Sequence, residues 1–203
     1  MINLFLLFWM LVVLFTVIGY MRGWQKEVIA MSGLVGAVAA LMQFGYEMVS
    51  LFGVVPADVM TPEQLQDVRG RQILIQGIFF AIVAFFSYQV VASLAVSVAG
   101  GRFGERIRAG LERRIIGMLV GAINGYLVVG GLWSLLEYVP IPDGYEHLPV
   151  GVPYPFDPNI ILRPAADTLA FGFTEWLPLG IMSPTLWLIL FFVTFFIVIV
   201  ALI

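Results

Sequence analysis

Residues 1–20, MINLFLLFWMLVVLFTVIGY, carry no charged side chain. A helix needs about 20 mainly apolar residues to cross the ~30 Å hydrocarbon layer of a membrane. The stretch has no basic segment before its apolar run and no small-residue cleavage motif, so a retained helix is favoured over a secretory signal peptide. It therefore predicts a first transmembrane helix.

Four further apolar stretches predict helices of the same kind, at residues 28–44, 73–99, 115–136 and 186–203. Hydrophobic residues make up 61% of the chain, charged residues 11%, and the mean hydropathy is +1.01. Soluble domains carry about 25% charged residues. The composition excludes a water-soluble enzyme and predicts an all-α integral membrane protein with about five transmembrane helices and an outer interfacial helix.

The chain divides into three predicted regions. A four-helix membrane core covers residues 1–136, an extracytoplasmic proline-rich segment with an interfacial helix covers 137–184, and an additional C-terminal transmembrane helix covers 185–203. Proline fixes φ and removes a backbone donor. Residues 140–158 are therefore predicted to be coil or polyproline-like.

The predicted interfacial helix follows Pro164. Its polar residues recur at a spacing of seven, which places them on one helical face, with Trp176 at the level of the lipid headgroups. These polar residues are Asp167, Thr168, Thr174 and Glu175. A helix packed onto the outer ends of the membrane helices is the alternative.

Charge indicates how the helices are oriented. The first and third connections hold seven basic and three acidic residues, whereas the second and fourth hold three basic and ten acidic residues. Lys and Arg concentrate in cytoplasmic loops. This distribution predicts an inner-membrane protein with an extracytoplasmic N-terminus. In the second connection, Thr61 and Gln64 form a capping-box pattern that predicts a helix start leading into helix three.

Small residues recur four apart on the predicted second and fourth helices. Gly117, Gly121 and Gly125 form one stripe, and Gly33 and Gly36 lie on a comparable face. Such stripes let helix backbones approach closely. We expect helices two and four to pack together, within one chain or across a dimer. The alternative is that small residues are simply common in membrane helices.

Polar residues mark the third helix. Gln89 is its one deep amide, and Asn124 on helix four is its expected hydrogen-bond partner. Gln72 and Gln76 are expected in the headgroup region. Intramembrane polar groups face a bundle interior, a partner or a wet cavity. Because no predicted helix carries an ionisable residue near its middle, structural cohesion is favoured over a substrate route.

A charged group lies at the predicted cytoplasmic end. Arg22, Lys26, Arg113 and Arg114 are interpreted as anchors at the inner leaflet, where basic residues are attracted to anionic lipid. Glu27 is interpreted as a helix-terminal residue, since a carboxylate is favoured at a helix N-terminus.

Site chemistry is sparse. The chain has no Cys and one His, so thiol chemistry is excluded and His147 is interpreted as an ordinary outer-loop residue rather than a metal ligand. No catalytic, cofactor-binding or metal site is predicted, and the acidic balance of the chain gives no nucleic-acid footprint. We do not expect an enzyme.

Two motifs resemble the CvpA family of small bacterial inner-membrane proteins, named for colicin V production. Residues 19–27, GYMRGWQKE, are similar to its G-x-x-R-G-x-x-[KR]-E turn, and residues 114–125, RIIGMLVGAING, to its R-x-x-G-x-x-x-G-x-x-x-G stretch. A weaker match lies in residues 162–178. Helix five is an addition to the four helices usual in the family. The family commonly has an Asp before the Arg that precedes helix four, whereas Glu112 and Arg113 precede Arg114 in this chain. The resemblance implies a link to colicin export and envelope homeostasis.

Together these features predict a non-enzymatic interaction component, as an envelope-maintenance factor or an accessory subunit of a respiratory or photosynthetic complex. Expected partners are membrane lipid and other membrane proteins or a second copy. Four phenylalanines of helix five are expected to dock a partner, lipid or pigment, or simply to face acyl chains: Phe191, Phe192, Phe195 and Phe196. The alternative is a transporter or export component with a polar path around Gln89 and Asn124.

Overall fold

The computed structural model describes residues 2–54, 61–98 and 111–202. Within these ranges the helices are α1 Leu4–Arg22, α2 Trp24–Leu51, α3 Pro62–Val98, α4 Leu111–Gly125, α5 Gly131–Glu137, α6 Leu169–Thr174, α7 Pro178–Ile181 and α8 Pro184–Leu202. The strands are β1 Tyr138–Ile141 and β2 Gly144–His147. Part of the predicted basic third connection, residues 99–110, lies outside the described residues.

Four helical spans are long and apolar enough to cross a membrane: Leu4–Arg22, Trp24–Leu51, Glu63–Gln89 and Arg114–Glu137. The last joins α4 to α5 through a π-helical segment, Tyr126–Gly130. These spans confirm the predicted all-α membrane protein. The apolar helix Pro184–Val200 is shorter, so a fifth crossing stays a prediction.

A one-residue break separates the first two spans. Gly23 adopts φ +83°, a conformation that side chains other than glycine rarely accept, and it ends α1 and begins α2. We call this end of the helix bundle the turn end. At the opposite end, the Ile2 amide donates to the Ile160 carbonyl at 2.8 Å. Residues 138–183, here called the cap, therefore lie at the same end as the N-terminus.

The glycine stripe of α4 packs against α1. A methyl group added at Gly117 would overlap the Gly19 carbonyl oxygen, and one at Gly121 would lie 2.9 Å from the Gly19 Cα. At Gly125 the nearest atom is the Phe15 Cβ, at 2.8 Å. The stripe thus brings two backbones together, and its partner is α1 rather than the predicted α2. Gly19 supplies the matching flat surface on α1. Helices α2 and α4 do contact each other, through Asn124 and Glu27.

The glycines of α2 accommodate side chains instead. Gly33 lies against the Ser87 hydroxyl of α3. A Cβ atom added at Gly36 would lie 2.8 Å from the Phe191 ring of α8. Phe191 therefore packs within the chain. Three other phenylalanines of α8 are exposed: Phe192, Phe195 and Phe196. Since Gly36 is near the middle of α2, α8 lies alongside that helix at the same depth.

The cap begins with a hairpin that the sequence analysis missed. β1 and β2 pair antiparallel, with Pro140 opposite Tyr145 and Ile141 opposite Gly144. Gly144 has φ +133°, and the Pro-Asp-Gly order is a typical turn signature. Proline is tolerated here because each strand of a two-stranded sheet has a free edge. Residues 148–168 are coil, bends and turns apart from Ile161, which forms a bridge with Ile2. The predicted coil over residues 140–158 is therefore confirmed from residue 148 onwards, whereas residues 140–147 form the hairpin.

The two predicted helix starts had different outcomes. The capping box is confirmed by two hydrogen bonds. The backbone N–H of Gln64 donates to the Thr61 hydroxyl at 3.3 Å, and the backbone N–H of Thr61 donates to Gln64 Oε1 at 2.9 Å. α6 spans only six residues with Thr168 as its N-cap. Asp167 and Thr168 therefore precede the helix, and the predicted four-residue polar face does not form.

Candidate functional site: two buried polar clusters

Two carboxylates, Glu27 and Glu137, have no exposed surface. They lie at opposite ends of the helix bundle, at the start of α2 and at the end of α5. Burying an unpaired charge costs several kcal/mol or more, so both need partners inside the protein. Each one organises a cluster of polar side chains.

The turn cluster consists of Arg22, Glu27, Tyr88 and Asn124. Arg22 Nη1 lies 3.1 Å from Glu27 Oε1, and the Tyr88 hydroxyl donates to Glu27 Oε2 at 3.3 Å. Asn124 Nδ2 donates to the same oxygen at 2.8 Å and to the Glu27 backbone carbonyl at 3.0 Å. One carboxylate thereby connects α1, α2, α3 and α4.

These contacts change two of the sequence interpretations. Asn124 donates to Glu27 rather than pairing with Gln89, which is an exposed residue of α3. The predicted Gln89–Asn124 hydrogen bond was therefore wrong. The Glu27 carboxylate and backbone carbonyl can only accept hydrogen bonds, so the Nδ2 side of the Asn124 amide faces them. Glu27 does lie in the first turn of α2, but as a buried ion-pair partner rather than a surface helix end.

The other predicted anchors lie at the same end. Lys26 is exposed. Arg114 Nη1 donates to the Tyr20 hydroxyl at 3.2 Å and its guanidinium lies 5.4 Å from the centre of the Tyr20 ring. The side chain of Arg113 lies outside the part of the chain that the structure describes. Lys26 and Arg114 thus lie at the turn end, and their role as inner-leaflet anchors stays a prediction.

The cap cluster forms around Glu137. Arg163 donates to Glu137 Oε2 from Nη2 at 2.9 Å and from Nε at 3.0 Å, and the Tyr154 hydroxyl donates to Oε1. Trp133 Nε1 donates to the same hydroxyl at 3.1 Å. Burial and the negative charge of Glu137 raise the pKa of Tyr154, so its hydroxyl keeps its proton as a donor.

Arg163 also donates to backbone carbonyls of the proline-rich segment, which has no regular secondary structure to supply donors. Its Nη1 donates to the Pro149 carbonyl at 2.7 Å and to the Val152 carbonyl at 3.0 Å, and its Nη2 to the Leu148 carbonyl at 2.8 Å. A guanidinium has five N–H donors in a fixed plane. One side chain therefore holds both the segment's backbone and the Glu137 carboxylate.

His147 belongs to the same cluster. Its Nδ1 lies 3.1 Å from the Leu148 carbonyl, and its Nε2 lies 3.1 Å from the Thr174 hydroxyl and 3.9 Å from Glu137 Oε2. A carbonyl only accepts, so Nδ1 carries the proton. The histidine is half-buried and joins β2 to α6, which differs from the exposed loop residue that was predicted.

A third buried group ties α3 to the cap end. Arg69 Nη2 donates to the Leu135 and Leu136 carbonyls, each at 3.2 Å, and its Nη1 donates to Gln72 Oε1 at 3.3 Å. These carbonyls lie in the last turn of α5, where helices leave acceptors without partners. A basic side chain is favoured at that position by the helix dipole.

Gln72 and Gln76 are core residues, and their position at the depth of the lipid headgroups stays a prediction. Both are almost completely buried. Gln72 Nε2 donates to the Val54 carbonyl and Gln76 Nε2 to the Gly45 carbonyl, each at 3.0 Å. The amides therefore fasten α3 to the second half of α2 and its end.

An apolar layer separates the two clusters. It includes Leu34, Val38, Phe80 and Leu127, all of them buried. Each cluster is occupied by contacts within the chain. The geometry therefore supports positioning: the turn cluster joins four helices, and the cap cluster holds an irregular segment against the bundle.

The sequence analysis missed Glu137, Tyr154 and Arg163. Their spacing of 17 and 26 residues crosses a hairpin and a stretch rich in proline, so no periodic pattern connects them. One signal was available: Arg163 is the one basic residue of residues 137–184, beside six acids. A lone arginine in an acidic segment is a natural ion-pair candidate.

Comparison with protein-family models gives a match over residues 6–148 to the family described as colicin V production protein. The chain belongs to this family. Membership makes it a membrane protein of a family involved in envelope or toxin production. Comparison with curated proteins finds no match, and comparison with solved structures finds none.

The family match covers the turn cluster and ends inside the cap. Arg22, Glu27, Tyr88 and Asn124 all lie within residues 6–148, and so does Glu137. The two main partners of Glu137 lie after the matched region; they are Tyr154 and Arg163. The weaker resemblance in residues 162–178 is also outside it.

Proposed function

We propose that the protein is a non-enzymatic interaction component of the inner membrane that presents its cap to an extracytoplasmic partner. One observation carries the proposal: Arg163 holds both Glu137 at the end of α5 and three carbonyls of the cap. The cap is thereby fixed to the membrane bundle. A fixed surface binds a partner without first losing conformational entropy.

The orientation in this proposal rests on charge. Arg22, Lys26 and Arg114 lie at the turn end. In the sequence, three further arginines, Arg102, Arg106 and Arg108, fall between α3 and α4. Basic residues favour the cytoplasmic side. The cap at the other end then faces away from the cytoplasm, with the N-terminus beside it.

In its more specific form, the protein is an accessory subunit of a larger membrane complex, respiratory or photosynthetic, or an envelope-maintenance factor. The exposed rings of Phe192, Phe195 and Phe196 give α8 an apolar face within the membrane. Lipid chains or a partner's helix would cover that face. The cap and α8 would then provide two separate contacts.

Chemical cross-linking in native membranes, followed by purification in mild detergent, tests the proposal. We expect the wild-type chain to carry a defined partner into the purified fraction. Arg163→Gln should lose that partner while remaining in the membrane, because the cap is no longer fixed. Lys26→Gln is the control, since Lys26 is exposed at the turn end, away from the cap. A wild-type chain that emerges alone and monodisperse after cross-linking would contradict the proposal.

A further inference from the structure

The exposed charge at the cap end is almost entirely negative. Among the residues that the structure describes at this end, the exposed acids are Glu47, Glu63, Asp67, Asp143, Glu146, Asp157, Asp167 and Glu175. Arg71 is the exposed base there, and it lies 2.8 Å from Asp67. The buried bases Arg69 and Arg163 are committed to internal contacts. The surface therefore favours a cationic partner.

A groove crosses this acidic surface between the cap and the start of α3. It contains a hollow of about 470 Å³ within the cap and a second of about 360 Å³ along α3. Gln66 lines both hollows, and Glu63 lines the second together with the Asp67–Arg71 ion pair. The α3 side of the groove therefore carries a net negative charge, which Glu63 supplies.

The cap side of the groove is apolar. Exposed side chains of Val150, Phe156 and Leu162 line the larger hollow. Beneath them lie Tyr154 and Arg163, which are held by Glu137. The floor is neutralised and rigid, so the groove exists before any ligand arrives.

We infer that this groove binds a basic, extended segment of an extracytoplasmic polypeptide, with apolar side chains against Phe156 and cationic side chains against Glu63. The inference rests on the proposed function and specifies the chemistry of the partner. Anionic lipid headgroups fit less well, because the surrounding acids repel them. A cationic peptide gains both charge attraction and apolar burial.

The test uses the full chain in nanodiscs of phosphatidylcholine and a fluorescent peptide of alternating Arg and Leu, with binding followed by fluorescence anisotropy. The variant Glu63→Gln should bind about fivefold more weakly, if this rim charge contributes ~1 kcal/mol. The matched control is Glu146→Gln, which removes the same charge outside the groove. We expect the control to retain binding.

A second pair of variants tests the apolar side. Phe156→Ala should weaken binding of the Arg/Leu peptide several-fold, whereas Trp176→Ala, which removes an exposed aromatic ring outside the groove, should not. Thermal unfolding of each variant checks that the cap remains folded.

Three results would overturn the inference: no binding to the wild-type chain, an equal loss in both charge variants, or binding of a Glu/Leu peptide as strong as that of the Arg/Leu peptide. An equal loss would indicate general attraction to an acidic surface. Failure of the peptide assay with a partner still captured from native membranes would leave the proposed function standing. A wild-type chain that carries no partner in the cross-linking experiment would contradict the proposed function itself.

Discussion

The turn cluster and the cap cluster each pair a completely buried carboxylate with an arginine, but they join different kinds of structure. Glu27 holds four helices that already have their own backbone hydrogen bonds. Glu137, through Arg163, holds a coil whose carbonyls otherwise lack regular partners. Removing the first pair loosens a contact between helices. Removal of the second pair also leaves backbone groups without donors.

The two arginines differ in access to water. The side chain of Arg22 is 23% exposed, and that of Arg163 is 7% exposed. An arginine near the surface can turn outwards when its partner is lost, and its long stem allows it to keep its apolar contacts. Arg163 has no such escape. The comparison therefore predicts that equal substitutions have unequal effects.

The largest effect is expected from Glu137→Gln. Breaking a buried ion pair on one side costs about 3–5 kcal/mol, because the other charge stays buried. Glu27→Gln should cost less, since Arg22 can reach water. The measurement is the free energy of unfolding in mixed detergent micelles, combined with limited proteolysis of the cap. Glu146→Gln, an exposed acid of β2, is the control and should change neither.

Proteolysis separates the two outcomes of that experiment. Glu137→Gln should expose residues 148–168 to cleavage, whereas Glu27→Gln should leave the cap resistant. Equal destabilisation by both variants, with an intact cap in each, would contradict the comparison, because both clusters would then stabilise only the helix bundle.

Glycine packing is expected to have the next effect. The turn cluster is supported by the contact of α4 with α1, where the backbones of Gly117 and Gly19 meet. Gly117→Ala places a methyl group on the Gly19 carbonyl, and overpacking of this kind costs about 1–3 kcal/mol. Gly172→Ala is the control, since nothing lies within 4 Å of an added Cβ there. Unfolding in mixed micelles measures both. An unchanged Gly117→Ala would mean that the ion pair alone holds the turn end.

The difference between the clusters also explains what could be predicted from sequence. Membrane helices, the Thr61 capping box and the CvpA motifs depend on local composition and spacing, and these predictions were confirmed. The glycine stripe indicated close packing but not the partner helix, because any flat helix face satisfies it. Asn124 needed a polar partner, and local spacing could not distinguish Gln89 from Glu27.

The cap was the least predictable region for the same reason. Its hairpin depends on pairing between short segments, and its coil depends on Arg163, which follows Glu137 by 26 residues. Proline content correctly indicated the absence of helix in residues 140–158. It carried no information on which side chain would supply the missing donors.

An effect of similar size is expected from one of two tyrosines in the cap. The hydroxyl of Tyr154 donates to Glu137, while that of Tyr145 is buried with no hydrogen-bond partner in the described structure. Tyr154→Phe leaves a buried carboxylate with one donor fewer and should cost about 1–3 kcal/mol. Tyr145→Phe should be neutral or stabilising. Thermal unfolding of the two variants compares them directly, and a large loss for Tyr145→Phe would show that its hydroxyl has a partner.

The smallest effect concerns alkaline pH, which acts on the cap because it lies outside the spanning helices. Burial, with the charges of Glu137 and Glu175, raises the pKa of Tyr138 to about 12. A phenol whose pKa is raised on folding contributes stability below its ordinary pKa of about 10, and this contribution is lost as the pH rises towards 12. At pH ~11 the loss should be about 1 kcal/mol.

Proteolysis of the cap at increasing pH measures this loss, and ultraviolet absorbance follows tyrosinate formation. Tyr138→Phe should make the cap less sensitive to alkali between pH ~10 and ~12, because this phenol no longer ionises. The turn cluster lies within the spanning helices, so cleavage of the cap should precede unfolding of the bundle. If the bundle unfolds first, the cap is not the weaker end in alkali, and the contrast between the two clusters does not extend to pH.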